Sequence, residues 1–183
     1  MPAVPETKAG WTNQLDALNS TNLNAYVRDP IRFLMNPPRA RLRQTVPQAL
    51  PNATAVAITF DAEVFDTDVD GIGGHSTSVN ISRYTVRYPG IYQVSGGCSF
   101  SAAAGFRLVD WSLNSAIYVG TDSLLPAVSG TSTRVPARTE LIPATTGDYI
   151  EMRIYHTGGS GVTTSVGNDE QPTMNVLWVA MLP

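Results

Sequence analysis

The chain has 183 residues, enough for one domain with its own core plus an extension. Charged residues make up only 15%, and 15 glycines and 13 prolines favour turns over long helices, so the sequence predicts an all-β protein. The net charge of −3 excludes a broad basic field, and we expect no nucleic acid as a partner. The single cysteine, Cys98, excludes an internal disulfide and a thiolate metal cluster.

The N-terminus, MPAVPETKAG, lacks the apolar core of a signal peptide, and no apolar run approaches the length of a membrane span. We therefore expect a protein that is made in a cytoplasm and has no membrane partner. Any extracellular role must then come from assembly into a released particle.

The first 40 residues are predicted to form an extended arm, a short helix and a proline hinge. Trp11 is an isolated aromatic residue in the arm and needs a pocket to fill. Thr21 is predicted as the helix N-cap, and Pro30 predicts a break that ends the first helix near Arg28 and starts a second turn at Asp29. One apolar stripe follows the helical spacing, at Leu23, Tyr26, Val27, Ile31 and Leu34. It is too short to fold alone, so it must pack on something.

This leader, Trp11 followed by LNSTNLNAYVRDPIRFLMNPPRARL, resembles the opening block of many tail-appendage, fibre and decoration proteins of tailed bacteriophages. The matching positions are Trp11, Leu23, Asn24, Val27, Arg28, Asp29, Phe33 and Leu34. Pro30 stands where the pattern more commonly has a polar residue, which argues against one continuous helix. The resemblance implies that residues 1–40 attach the protein to a particle. The expected attachment residues are Trp11, Leu23, Tyr26, Val27, Arg28, Ile31, Phe33 and Leu34.

Strands are predicted from residue 41 onward. The first two cover 41–46 and 55–60, and a polar loop rich in Asp, Gly and Ser follows at 61–78. Residues 82–100 are predicted as two strands joined at Pro89-Gly90, with a bulge or close backbone approach at Gly96-Gly97. A hairpin is predicted at 106–119, a long loop at 121–133, strands at 134–142 and 149–155, a loop at 157–172 and a last strand at 174–182.

The order of three short motifs carries a second resemblance. An aromatic strand is followed by Pro89-Gly90-Ile91-Tyr92, then by the turn Gly147-Asp148, and finally by the terminal strand. This order resembles the jelly rolls of the complement globular head and the tumour necrosis factor family. The resemblance implies an antiparallel jelly-roll sandwich over residues 41–183 and a homotrimer with one sheet turned toward a threefold axis.

The terminal strand suggests where such a trimer makes contact. Residues 176–182, VLWVAML, are apolar on both faces, whereas one face of an antiparallel sandwich normally meets water. We expect a sister chain to cover the second face; the alternative is that a long loop of the same chain covers it. The candidate trimer-interface residues are Tyr84, Tyr92, Tyr149, Tyr155 and Trp178.

The sequence offers few candidates for chemistry. Asp66, Asp68 and Asp70 start like a calcium loop, but the twelfth position is Thr77 rather than Glu, so a solvated acidic loop is the favoured interpretation. His75 and His156 are 81 positions apart and form no metal-ligand pattern. No nucleophile elbow or paired-carboxylate spacing is present, and we expect a protein with neither enzymatic activity nor a cofactor.

Three arginines, Arg39, Arg41 and Arg43, alternate and can point to one side of an extended segment. Such a stripe is either a solvated face or an electrostatic contact with an acidic neighbour in an assembly.

Together these features predict a structural virion protein of a tailed phage: a homotrimeric jelly-roll knob attached by its N-terminal arm. A capsid decoration protein is preferred over a minor tail protein, because the chain has one short arm and no long shaft; its partner is then the major capsid protein or a tail protein. The other hypothesis is a receptor- or glycan-binding module of a tail fibre that uses the loops at 61–78, 121–133 and 157–172.

Overall fold

A computed structural model describes residues 4–5 and 19–183 and shows two antiparallel β-sheets packed face to face. The strands are β1 (Arg39–Arg43), β2 (Val56–Ala57), β3 (Ala62–Thr67), β4 (Tyr84–Thr85), β5 (Gly90–Phe100), β6 (Phe106–Leu113), β7 (Ala116–Ile117), β8 (Ser123–Pro126), β9 (Thr133–Ala144), β10 (Tyr149–His156) and β11 (Thr173–Ala180). Sheet I has the strand order β3-β1-β11-β5-β9. Sheet II has the order β2-β10-β6-β7, and β4 and β8 pair with β10 and β6. The predicted all-β sandwich is confirmed.

The segment before β1 is one continuous helical stretch. It consists of α1 (Ser20–Leu23), a π-helical turn (Asn24–Arg28) and α2 (Asp29–Met35). The N-cap is Asn19, whose side chain accepts a 2.8 Å hydrogen bond from the backbone N–H of Asn22, so the prediction of Thr21 was wrong. The predicted boundary between Arg28 and Asp29, with Pro30 in the first turn of the second element, is confirmed, but the chain stays helical across it instead of breaking. The wider π turn ends directly before this boundary, and Pro30 has no N–H to donate to it.

The core lies between the two sheets and follows the period-two pattern of the sequence. Tyr84, Val86 and Tyr88 are all buried, as their alternation with polar residues predicts. The polar atoms of the large aromatics are satisfied: the Tyr92 hydroxyl donates to the Tyr88 carbonyl at 2.6 Å, and Trp111 Nε1 donates to a backbone carbonyl at 2.7 Å. Each sheet therefore has one face buried in the core, and the other face of sheet I is exposed.

Two glycines in β5 are required by close approaches. At Gly90 a Cβ atom would lie 1.9 Å from Nε1 of Trp178, so the position excludes any side chain. The Trp178 ring imposes this requirement, whereas the sequence predicts that turn geometry does. At Gly96 a Cβ atom would lie 2.2 Å from the carbonyl oxygen of Thr173, and the pairing with β9 shifts register there. The predicted bulge and close approach at Gly96-Gly97 are confirmed.

Several element boundaries differ from the sequence prediction. The predicted loop at 61–78 contains β3, and the predicted loop at 121–133 contains β8. Both are edge strands. The charged residues of β3 and the proline of β8 are typical of loops, but edge strands tolerate both. The turn between β6 and β7 is Asn114-Ser115, one residue later than predicted, with both residues at positive φ.

Candidate interaction surfaces

The exposed face of sheet I, the side turned away from the core, carries an uncovered apolar patch. In one row of paired residues, Leu177 of β11 and Leu141 of β9 flank Gln93 of β5. Leu177 is 39% exposed and Leu141 is 57% exposed, and Val179 is exposed two residues beyond Leu177. Among the described residues, no loop covers this side of the terminal strand, which argues against the alternative of cover by the same chain. We call Leu141, Leu177 and Val179 the sheet I patch.

The predicted trimer-interface residues do not lie on this face. Tyr84, Tyr92 and Trp178 are buried in the core of their own chain. Trp178 points inward because it alternates with the outward-facing Leu177 and Val179, and Tyr92 is paired with it across the sheet. This part of the prediction needs correction: an apolar run on both faces of a strand does not reveal which side chains face the core.

The other two predicted residues, Tyr149 and Tyr155, belong to β10 of sheet II, on the opposite side of the sandwich. The guanidinium of Arg83 lies 4.0 Å from the centre of the Tyr149 ring. The Tyr155 ring stacks on Phe106 with centroids 5.7 Å apart and an interplanar angle of 26°. The five predicted interface residues therefore form no single surface. Leu141, which the sequence analysis did not single out, could have been found from its alternation with the buried Ile142.

The helical segment is attached to the sandwich through one face. Phe33 is 1% exposed, and its ring meets Trp178 at 4.8 Å and Tyr88 at 5.2 Å, both edge-on. Pro30 is buried beside it. Of the predicted attachment residues, Phe33 is thus a core residue and not a contact for a partner.

The remaining described attachment residues lie on the outside of the helical segment. Trp11 lies outside the described residues. The exposed residues are Leu23, Tyr26, Val27, Arg28, Ile31 and Leu34. Arg28 pairs with Asp29 at 2.8 Å. The predicted apolar stripe lies on the helical segment with the expected spacing, but its side chains face solvent. Pro30 and Phe33 make the contact with the sandwich instead.

The three arginines of β1 form a basic stripe on the exposed face of sheet I. Arg39, Arg41 and Arg43 are all exposed, and the residues between them, Ala40 and Leu42, are buried. The residues paired with the three arginines are Leu177, Asn175 and Thr173 on β11 and Thr67, Phe65 and Ala62 on β3. Within residues 4–5 and 19–183, no carboxylate forms an ion pair with any of the three guanidinium groups.

The acidic loop is organised by hydrogen bonds within the chain. Asp68 is buried, its Oδ1 accepts from the backbone N–H groups of Asp70 and Ile72 at 2.8 and 3.1 Å, and its Oδ2 accepts from Arg87. Asp66 accepts from the N–H groups of Gly74 and His75; burial outweighs these bonds and raises the pKa of Asp66. These carboxylates hold a loop together, so the interpretation as a freely solvated loop was wrong.

We expect Asp68→Ala to lower the free energy of unfolding by about 1.5–3 kcal/mol, because Arg87 and two backbone N–H groups lose their acceptor. The exposed Asp122→Ala serves as the control, with an expected change within about 0.5 kcal/mol. Urea unfolding measures both. Adding CaCl₂ should leave the melting temperature of the unmodified protein unchanged; a rise that Asp68→Ala abolishes would contradict this account.

Both histidines are buried by their own chain. Nδ1 of His75 lies 2.8 Å from Glu63 Oε1, and its Nε2 lies 3.2 Å from the Ile81 carbonyl. Nδ1 of His156 accepts from the Gly158 N–H at 3.0 Å. In the described part of the chain, His, Cys, Asp and Glu side chains form no group of three that could hold a metal ion. Burial also raises the pKa of the Cys98 thiol, which disfavours the reactive thiolate.

None of the helices in the described ranges is long and apolar enough to cross a membrane. The sequence matches no known family profile and no curated protein.

Comparison with solved structures shows the fold. The globular domain of a zebrafish complement 1qA protein matches with a TM-score of 0.48 and 10% identity over 79% of this chain and 99% of that one. Murine APRIL at pH 5.0 matches with a TM-score of 0.52 and 10% identity over 78% of this chain and 98% of that one. The pH 8.5 structure of murine APRIL gives 0.52 and 12% over 76% and 98%. The two APRIL matches show the fold: the chain is an antiparallel jelly-roll sandwich of the tumour-necrosis-factor-like type.

Proposed function

We propose that this chain is a structural, non-enzymatic virion protein of a tailed phage: a homotrimeric jelly-roll knob held on the particle by its N-terminal arm and helix. It is made in the host cytoplasm and becomes part of the virion. A capsid decoration protein, bound to the major capsid protein, is the preferred assignment, and a minor tail protein is the other. The similarity of the leader to phage decoration and tail proteins supports this assignment.

The sheet I patch is the observation that carries the proposal. Leu141, Leu177 and Val179 lie on a sheet face that residues 4–5 and 19–183 leave exposed. Full burial of one such side chain contributes about 1.5–3 kcal/mol. Because Leu177 and Val179 are 39% exposed and Leu141 is 57% exposed, burying what remains exposed contributes roughly 2–4 kcal/mol per subunit, which favours association. A closed ring of three subunits, as the resemblance to the tumour necrosis factor jelly rolls implies, buries the patch in every subunit.

The helical segment supports the attachment role. Phe33 fixes the segment on the sandwich, and this holds the exposed side chains in a defined position. Leu23, Val27, Ile31 and Leu34 then present apolar surface that the sandwich does not cover. A surface of this kind on a fixed helix suits a hydrophobic groove on the particle.

The attachment role is tested with Ile31→Glu/Leu34→Glu, because deletion of the first 36 residues would also remove the core residue Phe33. We expect the variant to fold and assemble normally, while its copy number in purified particles falls more than about tenfold, as measured by quantitative mass spectrometry. Ile117→Glu/Val119→Glu, with two exposed apolar residues far from the helix in sequence, is the matched control and should be incorporated normally. Normal incorporation of the helix variant would overturn the attachment role.

One observation favours a second candidate function, that of a glycan-binding module. Phe106 and Tyr155 form a stacked pair on the outer side of sheet II, near the exposed Leu124. Flat aromatic faces stack on sugar rings, so this pair offers a platform for a carbohydrate. A glycan array with the unmodified protein and with Phe106→Ala separates the two functions: a signal lost in the variant supports the glycan module, and no signal supports the structural role.

A further inference from the structure

The basic stripe on β1 is not explained by trimer formation or by attachment through the helix. Arg39, Arg41 and Arg43 stand in one line, and successive residues on one face of a strand are about 6.6–6.8 Å apart. At this separation like charges repel one another. None of the six residues that pair with the three arginines is an aspartate or a glutamate, so no paired carboxylate offsets this repulsion.

The stripe also has an apolar neighbour on the side away from the sheet I patch. Phe65 on β3 is exposed and pairs with Arg41. A ligand that lies along β1 would therefore meet three guanidinium groups in a line, with the Phe65 ring beside the central one. Guanidinium groups bind carboxylates through paired hydrogen bonds, which add direction to the charge attraction.

We infer that the basic stripe binds an extended, acidic protein segment with carboxylates on alternate residues. Alternate side chains of an extended segment share one side and have the same spacing as the arginines, so three carboxylates can face three guanidinium groups in register. The side chains between the carboxylates point away from the stripe. The stripe borders the sheet I patch, because Arg39 pairs with Leu177, so the bound segment would lie beside the proposed trimer contact.

A protein segment fits better than a nucleic acid. Nucleic-acid affinity depends on the neutralisation of many phosphates by a broad basic surface. This chain has a net charge of −3, and its described basic stripe is one strand wide. The stripe can neutralise a short acidic segment, whereas the rest of the chain would repel a long polyanion.

The test uses a fluorescein-labelled peptide, TETETET, and its neutral counterpart, TQTQTQT. Fluorescence anisotropy at low ionic strength should show binding of the acidic peptide only, and raising the salt to about 0.5 M should weaken it, since exposed charges are screened. Arg41→Glu should weaken binding roughly tenfold, because an attraction becomes a repulsion. Arg32→Glu, an exposed arginine on α2, is the matched control and should bind within twofold of the unmodified protein.

A second variant, Arg39→Gln/Arg43→Gln, keeps the central arginine and introduces no new charge. Its peptide affinity tests the inference even if Arg41→Glu folds poorly. It should also bind the peptide more weakly. The inference is overturned if the acidic peptide does not bind, if both stripe variants bind it as the unmodified protein does, or if a seven-nucleotide single-stranded DNA binds more tightly than the peptide. Arg41→Glu should keep the mass of the unmodified protein, because its paired residues Asn175 and Phe65 lie outside the sheet I patch, so failure of this inference is distinct from failure of the trimer.

Discussion

Replacing Phe33 with alanine should lower the free energy of unfolding by about 3–5 kcal/mol, although the residue belongs to the helical segment and not to the sandwich. The ring is 1% exposed and contacts Trp178 and Tyr88, which lie on β11 and just before β5. Alanine would remove both edge-on aromatic contacts and leave a cavity beside Trp178. The loss is expected to be this large because the helix and the jelly roll share one core at this point.

The neighbouring Leu34→Ala is the matched control for Phe33→Ala. Leu34 is 67% exposed, so its truncation should change the free energy of unfolding by no more than about 0.5 kcal/mol. Urea unfolding followed by tryptophan fluorescence, at one fixed protein concentration, measures both variants. Equal effects of the two substitutions would mean that Phe33 does not join the helix to the core.

The substitution Leu177→Asp should convert the trimer into a monomer. It removes an apolar side chain from the sheet I patch and places a carboxylate opposite Arg39. Taking both charges out of water in the trimer contact costs several kcal/mol per ion, which their attraction does not fully offset. The side chain points away from the core, so the fold itself should tolerate the change. Light scattering after size-exclusion chromatography, together with circular dichroism, separates loss of the trimer from loss of the fold.

Val119→Asp is the matched control for Leu177→Asp. Val119 is apolar and exposed but lies in the turn after β7, outside sheet I. Its replacement should leave the trimer intact. If Leu177→Asp remained a trimer, the sheet I patch would not be the interface, and the contact would have to lie elsewhere on the surface.

Local sequence patterns predicted much of the fold. The alternation of Tyr84, Val86 and Tyr88 with polar residues identified three buried side chains, although the strand itself covers only Tyr84–Thr85, and Gly96-Gly97 identified a bulge. These signals depend on nearest neighbours and on backbone conformation, which the sequence shows directly. Strand β3 was missed because its acidic residues resemble those of a loop, whereas Glu63 is exposed at the edge of the sheet and Asp66 accepts backbone hydrogen bonds from Gly74 and His75.

The candidate surfaces were harder to predict, because they depend on contacts between distant residues. The assignment of Trp178 to a trimer interface failed because its partner in the core, Phe33, is far away in the sequence and appeared to belong to an attachment stripe. In the same way, the Asp68–Arg87 ion pair joins two segments that pattern analysis treats separately. The position of Leu177 and Leu141 in one row on the same sheet face became clear only from the register of β11, β5 and β9.

Sedimentation equilibrium of the unmodified protein tests the trimer most directly, since it gives the mass in solution over a range of concentrations. A single species with three times the mass of one chain is the predicted result, in agreement with burial of the sheet I patch. A well-folded species with the mass of one chain at every concentration would contradict it, because Leu141, Leu177 and Val179 would then be exposed to water in the native protein.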